Sequence, residues 1–425
     1  MKFNSKCLHS GYEPQDGEPQ ALPIYQSTTY RYRSADKVAA LFDLTDDGFF
    51  YTRLANPTTD AVEKKIADLE GGVGALCTSS GQAASFMAVV NILNAGDHLV
   101  SSASIYGGTF NLFAVTLKKL GIDVTFIDNY ASEEEIEKAV KPNTKAFFGE
   151  TITNPSIEIF DIEKFARIAH KHGVPLIVDN TFATPYLCRP IEFGADIVTH
   201  STTKYLDGHA IQMGGIIVDS GNFDWAASGK FPEFTEPDES YHGVVYTKDF
   251  GKAAYIVKAR VQLMRDFGCT QTPMGAFLLN QGLETLPVRM DRHCENAAKV
   301  AAFLDARDDV EFVTYPTVSS YKHKDLAEKY LPKGASGVIA FSLKAGRNAG
   351  KVFIDSLKLC SLVVHVADIR TCVLHPASST HRQMNDKQLK ECGVTPGLIR
   401  LSVGLEDIDD IIDDLTQALD KAKSK

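Results

Sequence analysis

The order of apolar and polar positions between residues 56 and 255 predicts helices that alternate with short strands. Segments with helical periodicity include DAVEKKIADLE and IEKFARIAHKHG, and the apolar runs between such segments include GALCTSS, PLIVDN and ADIVTHS. Short apolar strands separated by helices are typical of a mostly parallel sheet with helices on both faces. The sequence therefore predicts an α/β fold for this part of the chain.

Three other segments have different patterns. Residues 1–55 have little periodicity and many turn formers, which predicts an N-terminal arm that contacts a neighbouring subunit. Residues 221–250 mix Gly, Pro and acidic residues with aromatics, which predicts a long surface excursion bordering an active site. Residues 256–425 predict a smaller α+β domain that ends in an amphipathic helix. Its acidic positions are expected on the solvated face: Asp409, Asp410, Asp413 and Asp414.

Composition excludes several partners. A net charge of −10 and a pI of about 5.7 oppose binding to nucleic acid, because phosphates require clustered Lys and Arg. No apolar stretch is long enough to cross a membrane, and the N-terminus lacks the apolar centre of a secretory signal, so a cytoplasmic location is expected. The 8 cysteines show no C-x-x-C spacing and are expected to be reduced, with Cys77 packed as a small apolar residue.

The strongest chemical signal comes from two strands that end in polar residues. Asp179 closes PLIVD, and Lys204 follows the next strand in ADIVTHSTTKYLDGH. The carboxyl ends of parallel strands meet at one edge of the sheet, where such folds bind ligands. A carboxylate in an apolar crevice needs a cationic partner, and a desolvated lysine captures carbonyl groups. A ligand with a protonated ring nitrogen and an aldehyde, as in pyridoxal phosphate, satisfies both residues.

Phosphate donors are also present near these residues. Ser201 and Thr203 flank the lysine with hydroxyl groups, and Ser80-Gly81-Gln82 precedes a predicted helix whose first N–H groups are free to bind an anion. Taken alone, these residues would be turn formers and a helix N-cap. Together with Asp179 and Lys204 they predict a phosphate-binding turn.

A set of motifs along nearly the whole chain resembles the Cys/Met-metabolism pyridoxal-phosphate enzymes. These include cystathionine γ-synthase, the cystathionine β- and γ-lyases, methionine γ-lyase and the O-acetylhomoserine sulfhydrylases. The resemblance implies the aspartate aminotransferase-like fold, type I among pyridoxal-phosphate-dependent transferases. The motifs are YTRLANPT (51–58), SSGQAA (79–84), IYGGT (105–109), TNPS (153–156), IVDNTFATP (177–185), HSTTKYLDGH (200–209), HPASSTH (375–381) and IRLSVGLED (399–407).

The resemblance implies a role for each matching residue. Lys204 would form the Schiff base and shuttle protons, while Asp179 would pair with the pyridinium nitrogen and keep the ring an electron sink. Tyr106 matches the tyrosine that stacks on the ring, and Asn154 matches the residue near the phenolic oxygen. The residues that match phosphate contacts are Ser80, Gly81, Gln82, Ser201 and Thr203.

The resemblance also implies a substrate side and a subunit partner. Arg400 matches the arginine that binds the substrate α-carboxylate, a task suited to its planar fork. Asn154 and Tyr51 are expected to contact substrate as well. Tyr51 and Arg53 match a pair that reaches the phosphate of a neighbouring subunit, which implies a homotetramer built from two such dimers. Tyr51 and Tyr106 are expected to tune the proton transfers.

Within this family, the long excursion at 221–250 is similar to the O-acetylhomoserine sulfhydrylase branch. Gly108 stands where methionine γ-lyases carry a cysteine. The implied reaction converts O-acetyl-L-homoserine and sulfide to L-homocysteine and acetate. One segment departs from the family pattern: HVAD replaces SLGD or NVGD, which places His365, Val366 and Ala367 where a small polar residue would help to hold the carboxylate. The contacts on that side of the carboxylate are therefore not assigned by the resemblance.

Other interpretations stay open at this point. A methionine γ-lyase or a cystathionine γ-synthase or lyase would use the same site, and O-acetylserine could be a second substrate. A dehydrogenase is disfavoured, because Cys77 replaces the third glycine after Gly72 and Gly74. A non-catalytic protein on this fold would not need both Lys204 and Asp179. No metal site is expected from His375 and His381, which lack a third ligand, and these two and Asn56 are more simply structural.

Overall fold

The computed structural model describes residues 1–379, 382 and 395–423. Its larger sheet has seven strands in the order β1-β7-β6-β5-β4-β2-β3. Strand β7 runs antiparallel to β1 and β6, and the other neighbouring pairs are parallel. The mostly parallel sheet predicted from the sequence is therefore confirmed. The strands are β1 Gly74–Thr78, β2 His98–Ser102, β3 Asp123–Ile127, β4 Thr144–Glu150, β5 Leu176–Asp179, β6 Ile197–His200 and β7 Gly215–Asp219.

Both faces of this sheet are buried. Consecutive strand residues point to opposite sides, so neighbouring residues report on the two faces separately. Phe147 and Val178 belong to one hydrophobic cluster, whereas their neighbours Phe148 and Ile177 belong to another. Helices thus cover both faces, as predicted. The α-helices of this region are Pro57–Glu70, Gly81–Val90, Gly107–Asn111, Leu117–Lys119, Glu133–Ala139, Ile162–Lys171 and Thr184–Leu187, with a π-helical turn at Leu112–Thr116 and a 3₁₀ turn at Pro190–Phe193.

A second, smaller sheet lies in the C-terminal part of the chain. Its order is β10-β11-β12-β9-β8, and all neighbouring pairs except β10 and β11 are antiparallel. This confirms a smaller C-terminal sheet, while the domain boundary near residue 255 stays a prediction. The strands are β8 Val310–Thr314, β9 Val338–Leu343, β10 Ser361–Leu362, β11 Cys372–Leu374 and β12 Leu398–Ser402. The helices are Pro273–Glu284, Leu286–Asp305, Lys324–Tyr330, Gly346–Ser356 and Ile408–Lys423, with a 3₁₀ turn at Pro376–Ser378.

The terminal helix corrects one prediction about its acidic face. Asp409, Asp410 and Asp413 are exposed as expected, but Asp414 is buried. Its carboxylate accepts hydrogen bonds from the backbone N–H groups of Lys358, Leu359 and Cys360. These groups follow the end of a neighbouring helix, so the buried charge satisfies backbone donors that would otherwise have no partner.

Residues 221–250 are anchored in the core and do not form only a surface excursion. The ring of Trp225 is buried and stacks on Phe234 at 4.5 Å and on Tyr255 at 5.4 Å between ring centroids. The prediction was wrong in this respect because aromatic burial outweighed the turn-forming residues between them. The segment and the helical stretch after it contain Trp225–Ser228, Pro232–Thr235, Glu239–Tyr241, Tyr246–Asp249, Gly251–Ala253, Ala254–Lys258, Ala259–Met264 and Arg265–Phe267.

The N-terminal residues include two helices, Phe3–His9 and Ala35–Phe42. Asn56 joins this segment to the next helix, because its side chain accepts from the Thr58 N–H and donates to the Tyr25 carbonyl. Its role is structural, as expected. In the part of the chain that the structure describes, no helix is long and apolar enough to cross a membrane. Cys77 is buried and unpaired, as predicted.

Candidate active site

Lys204 lies in the turn that follows β6, at the edge of the sheet where the parallel strands end. Its Nζ atom is 3.2 Å from Nδ1 of His365. Burial lowers the pKa of Lys204 to about 8, and the charge of Arg400 acts in the same direction. A much larger fraction of this amine is therefore neutral near neutral pH than in an exposed lysine, which suits attack on an aldehyde.

Two carboxyl groups end neighbouring strands beside this lysine. Glu150 of β4 and Asp179 of β5 are paired in register. Burial raises the pKa of both groups, and the charge of Asp179 further raises that of Glu150, which lies well above its usual range. Asp179 accepts hydrogen bonds from the backbone and hydroxyl of Thr181, which favour its ionised form. Asp179 is therefore the more readily ionised of the two groups and is available to a cationic ring.

The turn at residues 79–82 forms a narrow cradle against Ser201. Ser80 caps the helix Gly81–Val90, and its Oγ accepts from the Ala83 N–H at 3.1 Å. A Cβ atom on Gly81 would lie 2.5 Å from the Cβ of Ser201, so only glycine permits this approach. The Gln82 amide donates to the Gly108 carbonyl at 2.9 Å. Two hydroxyls and the free N–H groups of a helix terminus thus meet at one place that can bind an anion.

Ser201 and Thr203, which both lie in the loop before Lys204, are held by different contacts. The N–H of Ser201 donates to Thr181 Oγ1 at 2.9 Å, which links the loop before Lys204 to the loop after Asp179. Thr203 Oγ1 donates to the Gly214 carbonyl at 3.2 Å and accepts from the Gly214 N–H at 3.0 Å. The hydroxyl of Thr203 therefore has a backbone partner already, unlike that of Ser201.

Arg400 approaches from the smaller sheet. It lies on β12 and is 8% exposed. Its guanidinium donates to Asn154 Oδ1 at 3.2 Å and to the His365 carbonyl at 3.2 Å. Among the described residues no carboxylate pairs with it, and burial lowers its pKa. A buried cation that contacts only neutral oxygens is suited to binding an anion from solution.

Tyr106 and the pair Tyr51 and Arg53 are placed differently. Tyr106 caps the helix Gly107–Asn111, and its backbone N–H donates to Glu150 at 2.6 Å. Its ring is 51% exposed, so it is free to stack on a ligand. Tyr51 is 40% exposed, and the Arg53 guanidinium carbon lies 5.0 Å from its ring centroid. Both line a cavity of about 480 Å³ that also includes Tyr241 and Arg265 but not Lys204.

The residues at the edge of the large sheet fit pyridoxal phosphate. The lowered pKa of Lys204 suits an aldehyde, and the carboxylate of Asp179, which accepts hydrogen bonds from Thr181, suits a protonated ring nitrogen. The glycine cradle at Gly81 and Ser201 suits a phosphate group. A family model described as "Cys/Met metabolism PLP-dependent enzyme" matches residues 4–420. The chain belongs to this family.

Individual relatives extend over the whole chain. The O-acetyl-L-homoserine sulfhydrylase of Leptospira meyeri is 48% identical over 99% of this chain and 97% of its own length. The homocysteine synthase of Schizosaccharomyces pombe is 47% identical over 99% of this chain and 98% of its own length. A crystal structure described as a candidate O-acetylhomoserine (thiol)-lyase from Campylobacter jejuni superposes with a TM-score of 0.95 at 38% identity, covering 99% of this chain and 100% of that one.

The crystal structure carries a pyridoxyl-lysine-5′-monophosphate, in which the cofactor is joined to a lysine. Membership in the family makes this chain a pyridoxal-phosphate-dependent enzyme, and the predicted cofactor and fold are thereby confirmed. The individual roles of the site residues stay predictions, which the geometry supports for Lys204, Asp179, Ser80, Gly81, Ser201, Asn154 and Arg400 by bringing them to the same edge.

Sequence reasoning missed Glu150 and the contact of His365 with Lys204. A signal for Glu150 was present, because TKAFFGE ends a buried strand in a carboxyl group just as PLIVD does. His365 was noticed only as a departure from the family pattern, and nothing in the sequence places its ring beside the lysine.

Among the described residues, no group of three or more His, Cys, Asp or Glu side chains could hold a metal ion. His375 is buried, and its ring nitrogens contact Ser378 Oγ and the Pro396 carbonyl, each at 2.9 Å. These contacts are consistent with the expected structural role, which stays a prediction. His381 lies outside the described residues.

Proposed function

We propose that this chain catalyses γ-replacement, in which O-acetyl-L-homoserine and sulfide give L-homocysteine and acetate. The observation that carries the proposal is a desolvated lysine between a cofactor side and an unpaired arginine, in a chain whose relatives bear the names O-acetyl-L-homoserine sulfhydrylase and homocysteine synthase. An amino acid fits between Arg400, which binds its carboxylate, and Lys204, which captures or releases its proton.

The residues divide the work as follows. Arg400 and Asn154 hold the α-carboxylate, which fixes the substrate against the lysine. Asp179 stabilises positive charge on the cofactor ring, and the turn at Ser80, Gly81 and Gln82 binds the phosphate together with Ser201 and Thr203. Tyr106 stacks on the ring, and its position is fixed by Glu150.

Pyridoxal phosphate bound there supplies an electron sink that makes protons next to the amino group acidic. Lys204 accepts the α-proton as a neutral amine, which its lowered pKa permits near neutral pH. It then assists removal of a β-proton, and acetate leaves from Cγ. Sulfide adds at the same carbon, and protons return to Cβ and Cα, which gives homocysteine. Tyr106 and Tyr51 are placed in this scheme to tune these proton transfers.

The neighbouring subunit completes the site in this proposal. Tyr51 and Arg53 are exposed together and point to no residue of the Lys204 site in their own chain. We infer that they reach the phosphate of a second copy, in a homotetramer of two such dimers located in the cytoplasm. Mixing a Lys204→Ala chain with an Arg53→Ala chain should then restore part of the activity that each lacks alone.

A lyase acting on methionine, cystathionine or cysteine is the second candidate, since the same site could release ammonia and an oxoacid. Purified enzyme should be given O-acetyl-L-homoserine and sulfide, with O-succinyl-L-homoserine, O-acetyl-L-serine and methanethiol as comparisons. The proposal predicts homocysteine as the main product. Release of 2-oxobutyrate or pyruvate at a higher rate than homocysteine formation would favour the lyase.

A further inference from the structure

His365 connects the two sides of the active site. Its Nδ1 atom lies 3.2 Å from Lys204 Nζ, and its backbone carbonyl accepts from Arg400 at 3.2 Å. The ring of His365 thus contacts the lysine that would move protons, and its backbone contacts the arginine that would hold the substrate carboxylate.

The segment that follows His365 is held in place by several contacts. Ala367 is fully buried and has a φ of 64°, a left-handed conformation that is strained for alanine. Its N–H donates to Ser402 Oγ at 2.8 Å, which ties the segment to β12. Asp368 is paired with Arg370, which also donates to the His209 carbonyl. These contacts fix the backbone that follows His365, from which the ring reaches the lysine.

The surroundings of the ring determine its protonation state and which of its nitrogens carries the hydrogen. Burial lowers the pKa of His365 to about 4, and the cations Lys204, Arg400 and Arg370 act in the same direction against the opposing charge of Asp368. The ring is therefore neutral near neutral pH. Because its Nδ1 faces an amine, Nδ1 accepts and Nε2 carries the hydrogen.

The Nε2 atom is buried and has no hydrogen-bond partner among the described residues. A buried donor without an acceptor is costly, which indicates that another molecule supplies the acceptor. The Arg400 guanidinium contacts the backbone carbonyl of the same residue, so His365 lies next to the position where Arg400 would hold the substrate carboxylate.

We propose that His365 is a positioning residue that bridges Lys204 and the substrate: its Nδ1 accepts a hydrogen bond from the free lysine amine, and its Nε2–H donates to a substrate oxygen. This deepens the proposed function and rests on it for the substrate half. The small serine or asparagine of the related SLGD and NVGD patterns has no atom that reaches as far as Nε2.

Two variants test the two contacts separately. Asn has a polar atom as many bonds from Cβ as Nδ1 of histidine, and Gln has one as many bonds from Cβ as Nε2. His365→Asn retains an acceptor at the position of Nδ1 and lacks Nε2. His365→Gln retains a donor at the position of Nε2 and lacks the acceptor at Nδ1. Circular dichroism and thermal unfolding of both variants should match the native chain, since the residue lies in a loop and is only partly buried.

The lysine contact is tested without any substrate. Pyridoxal phosphate is added to the apoenzyme at a series of pH values, and the rate at which the Schiff-base absorbance appears gives the pKa of Lys204. An acceptor stabilises the protonated amine, so we expect His365→Gln to titrate lower than the native chain by on the order of half a pH unit, and His365→Asn to titrate like the native chain. Identical titrations for all three chains would overturn this half. Arg400 and Cys372 also face the lysine, and they are the same in the native chain and in both variants.

The substrate contact is tested by steady-state kinetics with O-acetyl-L-homoserine. Loss of one buried hydrogen bond corresponds to roughly a tenfold change, so His365→Asn should raise KM by about tenfold while kcat changes little. An unchanged KM would remove the donor from the proposal. If the native chain forms no homocysteine, the proposed function fails, whereas the absorbance titration still decides the lysine contact.

Discussion

The two sides of the active site differ in how completely their polar groups are satisfied. On the large-sheet side, Asp179, Ser80 and Thr203 each have a protein partner at a described distance. On the small-sheet side, within the described part of the chain, Arg400 contacts only neutral oxygens and the Nε2 atom of His365 has no partner. The difference teaches that the cofactor side is organised before anything binds, whereas the substrate side keeps a cation and a donor free.

Replacement of Lys204 should have the largest effect, because this residue belongs to both sides. We expect Lys204→Ala to lower kcat by about 10⁴-fold or more, the upper range for a positioned proton carrier. The variant should also lack the absorbance of a lysine-derived Schiff base. Lys258→Met is the matched control, since burial lowers the pKa of Lys258 to about 8 as well, but its Nζ donates to the Asn91 carbonyl far from the site. Full activity of Lys204→Ala would refute the proposed role.

Replacement of Arg400, the cation of the substrate side, should have the next largest effect. Arg400→Lys keeps the charge but loses the bidentate fork, and we expect KM for O-acetyl-L-homoserine to rise by about 10²-fold. Affinity for pyridoxal phosphate should stay unchanged, because the residue lies on the small sheet. Arg167→Lys serves as the control, since its side chain is exposed and pairs with Glu133. A loss of cofactor in place of substrate affinity would erase the distinction between the two sides.

The preorganised cradle can be broken without a change of charge. In Gly81→Ala the new Cβ would meet Ser201 at 2.5 Å, so the turn must open. We expect about tenfold weaker binding of pyridoxal phosphate, an effect typical of a modest steric displacement. Gly107→Ala is the control, because a Cβ there meets nothing within 4 Å. Fluorescence titration of both apoenzymes measures the difference, and equal affinities would argue against the cradle.

The last prediction concerns the stability of the apoenzyme and not its activity or its affinity for a ligand. The pKa of Lys204 is lowered in the folded chain, so below pH 8 the amine is charged in both states and its burial is fully unfavourable. Between the folded pKa and the ordinary lysine value the unfolded chain binds more protons, so the free energy of unfolding rises with pH. Native apoenzyme should gain about 3 kcal/mol over this window relative to Lys204→Met. Urea unfolding at several pH values measures it, and parallel curves for the two chains would contradict the shift.

Much of this architecture followed from local patterns. The apolar runs GALCTSS, PLIVDN and ADIVTHS became β1, β5 and β6, because short buried strands between helices have few alternatives. Tertiary packing overrode the pattern at Trp225, whose ring is buried among other aromatics, and at Asp414, which faces backbone donors of another helix. No local pattern contains those partners.

The sequence by itself determined the chemistry of the cofactor side, since Asp179, Lys204 and the turn at Ser80 follow strands that must end at one edge of a parallel sheet. Only the tertiary structure decided which groups meet across the two sheets. Arg400 comes to lie beside Asn154, which is 246 residues away in the chain, and His365 beside Lys204, which is 161 residues away. Such contacts depend on how two separately folded sheets pack together, and no periodicity along the chain records that packing.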